Sequence, residues 1–128
     1  MKQGVIEVKY NNILKYDKLK KMLEKVNEYV DKEEYKEAYF KVAALIEYIN
    51  INILIRKFSV KLEDTSITNI IKEYAKKDET LYEIMIGINA EYNAIDIDKV
   101  DLSDIEYLVE EADYITEYVT EKYGNLLE

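Results

Sequence analysis

An all-α fold, an up-and-down bundle of four long helices and one short helix, is what this sequence predicts, on three observations. Apolar side chains recur at three- and four-residue spacing along nearly the whole chain. The 128 residues include no proline and only three glycines, so the punctuation of a β-rich chain is missing. No linker, internal repeat or low-complexity tract divides the sequence, so one domain over residues 1–128, with a bundle core at about 12–124, accounts for it.

The opening "GVIEVKY" reads either as a short strand or as a frayed lead-in. A first helix follows from about Asn12 to Val30, with Tyr16, Leu19, Met22, Leu23, Val26, Tyr29 and Val30 on one side. In "DKEE", Asp31 is placed to cap the second helix, with Glu33 and Glu34 in its first turn beside the positive dipole end. That helix continues to about Phe58. Ala38, Val42, Leu45, Ile49 and Ile53 form one face, while Phe40, Ala43, Ile51, Leu54 and Ile55 point elsewhere. A helix apolar all round is a buried one, which makes this the expected central element.

In "EDTSIT", Thr65 or Ser66 caps a short third helix that turns Ile67, Ile70, Ile71 and Tyr74 inward and ends near "KKD". Asp78 or Thr80 starts the fourth, with Leu81, Ile84, Met85, Ile88, Tyr92 and, at its end, Ile95 on its stripe. "DIDKVD" is a polar connector, in which Ile95 and Ile97 alternate as a brief extended segment would. Ser103 with Glu106 three residues on forms a capping box, and the last helix runs from there to Gly124 as its C′ residue.

Composition excludes more chemistry than it suggests. Without cysteine there is no disulfide and no thiolate metal site, and a reducing cytoplasmic compartment is the expected one. No N-terminal stretch is apolar enough for a secretory signal. The most apolar region, "VAALIEYININILIRKF", is expected to be too short and too polar to span a bilayer.

Histidine is absent, which removes the commonest general base and metal ligand. No catalytic residue, cofactor or metal site is therefore assigned. The carboxylates Asp96, Asp98, Asp101, Asp104 and Glu106 lie close together, but Val100 and Asp101 break the spacing of a calcium loop, so helix capping is their expected use.

Charge is unevenly spread. Residues 1–61 hold 13 Lys and Arg against 9 Asp and Glu, a net of +4; residues 62–128 hold 5 against 18, a net of −13. With a net charge of −9 and one arginine, Arg56, the chain is poorly equipped to grip phosphates, so nucleic acid is not an expected partner. The cluster Lys15, Lys18, Lys20, Lys21 and Lys25 is interleaved with acids, as on a solvated helix face.

The last helix sorts into three faces at ~100° per residue. Ile105, Leu108, Val109, Ala112, Ile115 and Val119 make the core stripe, and Glu106, Glu110, Asp113, Glu117 and Glu121 an acidic ridge. Tyr107, Tyr114 and Tyr118 line up almost opposite the core around Glu111. A tyrosine is apolar in body and polar at its tip, so this row is a candidate partner surface.

Two stretches carry a family resemblance. "EEYKEAYFKVAALIEYININILI" has a small-residue pattern with Tyr35, Ala38, Val42, Ala43, Ala44 and Glu47. "IGINAEYNAIDIDKVDLSDIEYLVEEADYITEYV" is a helix end, an acidic connector and a long closing helix. Together they resemble a HEPN (higher eukaryotes and prokaryotes nucleotide-binding) domain, from roughly the first helix to Gly124. The family closes with R-N-x-x-x-H, and by position Ile88 stands at its Arg, Asn89 at its Asn and Asn93 at its His. Active members are thought to cut RNA with the Arg and His across a dimer interface. Ile88 and Asn93 cannot stabilise charge or move a proton, so the resemblance implies a member without ribonuclease activity.

Tyr82, Ile86, Asn89 and Asn93 share the face that lines the family's dimer groove, which makes them candidate interface residues. The resemblance thus implies a homodimer or a protein partner, such as the nucleotidyltransferase that often accompanies the family in toxin–antitoxin operons. An enzyme or nucleotide-binding protein with a carboxylate/Tyr/Lys site remains the alternative, as does a helical-bundle regulator of other ancestry.

Overall fold

The computed structural model describes residues 10–128. All of its regular structure is helical: α1 (Asn11–Leu14), α2 (Asp17–Asp31), α3 (Tyr35–Arg56), α4 (Ile67–Lys77), α5 (Glu79–Ala94), a 3-10 turn (Ile97–Lys99) and α6 (Leu102–Tyr123). No strand is present among the described residues, and the ambiguous residues 4–9 lie outside them. The expected count of four long helices and one short one becomes five helices of 11 to 22 residues plus the single turn α1.

That extra turn arises because the first helix does not run unbroken from Asn12. Tyr16 is extended (φ −115°, ψ 119°) and its buried ring carries the hydroxyl within 2.6 Å of Thr120 Oγ1. Just before it, Asp113 on α6 accepts hydrogen bonds from the Asn12 side chain and the Ile13 amide, both at 2.9 Å. Those tertiary bonds hold the turn and the break against α6.

Asp31 does not cap α3; it is the last residue of α2. The chain reverses through Glu33 in a left-handed conformation (φ 59°), and Glu34 takes the N-cap position without a side-chain bond. Its amide instead donates to the Tyr29 carbonyl at 2.9 Å, closing the α2–α3 hairpin. Ser66, of the two residues expected, caps α4, and Asp78 caps α5. The segment through Ile97 is a 3-10 turn, not extended, because Asp96 Oδ1 accepts from the Asp98 amide at 3.0 Å. The capping box of α6 is Asp101 with Asp104, not Ser103 with Glu106; a carboxylate at either end satisfies the other's amide, and the Ser103 hydroxyl donates to Asp101 at 2.7 Å. Gly124 ends α6 with φ 84°, a region costly to side chains.

One core joins all six helices, with Ile13, Leu19, Val26, Leu45, Ile49, Ile70, Met85, Leu108 and Ile115 buried in it. Helix α3 packs on α2 along one side and α6 along another, while α4 and α5 form a hairpin hinged at Asp78. The inward stripe expected for α6 is fully buried.

Helix α3 departs from expectation in two ways. It is not covered all round: Phe40 and Ile55 are each 49% exposed. It also has 22 residues and a mean hydropathy of 1.4 over its most apolar window, so by length and composition alone it could cross a bilayer, contrary to the reading from residues 42–58. About 44% of that window is buried inside the protein, against the rest of the bundle.

Candidate interaction surfaces and the Asp78 clasp

Asp78 is the hub of the polar network. It ends α4 and begins α5, and its side chain is 1% exposed. Oδ1 accepts from the Leu81 amide at 3.0 Å, the N-cap bond. The Tyr118 hydroxyl reaches both carboxylate oxygens at 2.9 Å, Tyr123 donates to Oδ2, and Lys122 Nζ lies 3.4 Å from Oδ2 and 2.9 Å from the Tyr118 oxygen. Burial pushes the Asp78 pKa up, but the bonds from Tyr123, the Leu81 amide and Tyr118, with the charge of Lys122, outweigh it and hold the group below the usual carboxylate range. Burial and the same bond to Asp78 push the Tyr123 hydroxyl up to about 12.

These are the residue types of a carboxylate/Tyr/Lys site, yet their arrangement is that of a clasp. The carboxylate has its acceptor sites filled and is held ionised, which makes it a weak base. A second buried pair supports the first: the Tyr74 hydroxyl donates to Asn50 Oδ1 at 2.8 Å, and Asn50 donates to the Ile46 carbonyl at 2.8 Å and to Met85 Sδ at 3.3 Å.

The clasp breaks up the expected tyrosine row. Tyr118 is turned to α5 and half-buried, and Tyr107 is also half-buried, beside Glu91 of α5. Tyr114 alone of the three stands out, at 49% exposure. Glu111, between them, has its pKa raised by burial first and by Glu110 second.

On α5, Ile86 is 43% exposed and Asn93 exposed, while Tyr82 and Asn89 are half-buried. Glu91, whose charge reaches Tyr107, lies roughly half a turn round α5 from Asn89 and Asn93. The tyrosine flank and the Asn89–Asn93 face are thus two surfaces separated by a helix. Ile88 is fully buried, so it offers nothing to the exterior.

The acidic connector is used in capping turns, and Lys36 Nζ lies 3.6 Å from Asp98. Among the described residues no group of three or more acids is arranged to hold a metal ion.

A cleft of about 190 Å³ opens between α3, α4 and α5. Buried Ile46, Ile70 and Met85 line it together with Glu47, Thr65 and Tyr92. The Thr65 hydroxyl donates to the Glu47 carboxylate at 3.3 Å. Burial raises the Tyr92 pKa first, with smaller contributions from Tyr39 and Glu47.

Asp78 was legible as a cap, but its bonds to Tyr118, Lys122 and Tyr123 had no signal in the spacing. The exposure of Phe40 and Ile55 was hidden by the assumption that an all-apolar helix is covered. No family model, curated protein or solved structure matches this chain.

Proposed function

We propose that this chain is a non-catalytic, HEPN-like helical protein that works by association, with a second copy of itself or with another protein. The observation that carries the reading is the exposure of large apolar side chains on three helices: Phe40 and Ile55 on α3, Ile86 on α5 and Tyr114 on α6. Ile86 and Tyr114 belong to the two surfaces singled out in the sequence, and each would gain roughly 25 cal/mol per Å² of apolar area covered. The absence of histidine, the buried Ile88 and the saturated Asp78 carboxylate support the non-catalytic part.

Incubating the protein with assorted RNAs and Mg²⁺ should give no cleavage. Reproducible cutting abolished by one point substitution would overturn the non-catalytic reading. Light scattering of the purified protein tests the homodimer version: a dimer or larger species is expected, and a monomer at high micromolar concentration removes it. A nucleotidyltransferase is the other partner the resemblance implies, and an adjacent reading frame encoding one would favour that pairing.

A further inference from the structure

Helix α3 leaves an apolar stripe uncovered. Phe40, Ala44, Ile51 and Ile55 share the side turned away from Val42, Leu45, Ile49 and Ile53, which are buried. Phe40 and Ile55 are half exposed, Ala44 is exposed and Ile51 is partly so. Glu47 interrupts the stripe at its middle and also lines the cleft that opens beside it. Edge-to-face aromatic contacts lead from one to the other, Phe40 to Tyr39 at 5.7 Å and Tyr39 to Tyr92 at 5.9 Å.

At about 190 Å³ the cleft is smaller than the roughly 300–1,000 Å³ of pockets for free small molecules. It suits a single long side chain. Buried Ile46, Ile70 and Met85 would take an aliphatic stem, and the Glu47 carboxylate would pair with a cationic head. A second copy is a poor occupant, because two antiparallel α3 helices related by a two-fold near residue 47 would bring their Glu47 carboxylates together. An anionic membrane is disfavoured by the same carboxylate at the middle of the stripe.

We infer that this face of α3 docks an amphipathic helix of another protein, with apolar residues over Phe40, Ala44, Ile51 and Ile55 and one Lys or Arg entering the cleft against Glu47. The inference rests on the association reading above and narrows it to a chemistry of partner.

Fluorescence anisotropy with labelled, amidated helical peptides of roughly 20 residues tests it. One peptide carries a leucine stripe with a central Arg, and two others replace that Arg by Gln or Glu. The Arg peptide should bind best, Glu47→Lys should weaken it at least about tenfold and restore the Glu peptide, and Phe40→Ser with Ile55→Ser should abolish binding. Equal binding of the three peptides, or binding untouched by Phe40→Ser, overturns the inference. So does a loss of the protein's own dimer mass on Phe40→Ser with Ile55→Ser, which would give the stripe to a second copy, and so does equal binding of uncharged and anionic lipid vesicles through it. If no peptide binds but the protein still associates, the docking inference falls and the association reading stands; if neither occurs, both fall.

Discussion

Tyr118 on α6 donates its hydroxyl to the Asp78 carboxylate at 2.9 Å, across 40 residues of sequence. With Tyr123 and Lys122 on the same carboxylate, this contact fastens the C-terminal end of α6 to the hinge between α4 and α5. The bundle's closing strap is therefore a buried carboxylate that accepts from its own helix start at Leu81 and from the end of α6.

Asp78→Ala should be among the most damaging single changes. It removes a helix cap and strands the hydroxyls of Tyr118 and Tyr123, a loss of about 2–4 kcal/mol. Asp78→Asn keeps the cap and should cost less. Urea unfolding followed by circular dichroism measures both, and an alanine variant within error of the parent would refute the clasp.

Acid should loosen the same strap. The folded Asp78 pKa lies below its ordinary value of 3.8, so the unfolded chain takes up the proton first. This contribution is present in full above about pH 4 and is lost as the pH falls through the folded pKa. The acid slope of stability should be shallower in Asp78→Asn than in the parent.

Alkali should act through the tyrosines. Burial and the bond to Asp78 push folded Tyr123 from an ordinary 10.0 up to about 12, and Tyr74 is raised well above 10.0 by burial first and by Asp78 and Tyr123 next. A raised folded pKa gives stability that is present below pH 10 and is lost as the pH rises through the folded value. Tyrosinate absorbance should show a fraction of the thirteen tyrosines titrating only with unfolding; a single smooth titration near 10 with the fold intact would contradict this.

The buried Asn50 is a second test of the polar network. Asn50→Ala leaves the Tyr74 hydroxyl without its 2.8 Å acceptor and should cost about 2–3 kcal/mol, read from the unfolding midpoint.

Legibility followed the range of the interaction. The inward stripe of α6 was readable because Ile105 to Val119 repeat at helical spacing, and Ser66 and Asp78 were each readable as one of two candidate caps because a cap is a local bond. The break at Tyr16 was not, since it depends on Asp113 and Thr120 a hundred residues away. Tyr118 failed for the same reason: its place on the helical wheel points outward, but Asp78 draws its hydroxyl back. Asp31 lost to the hairpin's own geometry, where a left-handed Glu33 lets α2 run one residue further.

Tyr114 and Tyr118 should therefore separate on substitution. Tyr114→Ser should weaken association and leave stability within about 0.5 kcal/mol of the parent, whereas Tyr118→Phe should lower stability by about 1 kcal/mol with association unchanged. Thermal melts paired with cross-linking yields would distinguish them, and identical behaviour of the two variants would remove the distinction between surface and clasp.

The most direct measurement of the account is the native mass of this chain in a gentle extract of its own cells. A protein that works by association should migrate in an assembly heavier than its 15.2 kDa, with a second copy or another protein bound. A free 15.2 kDa species at physiological concentration would contradict it.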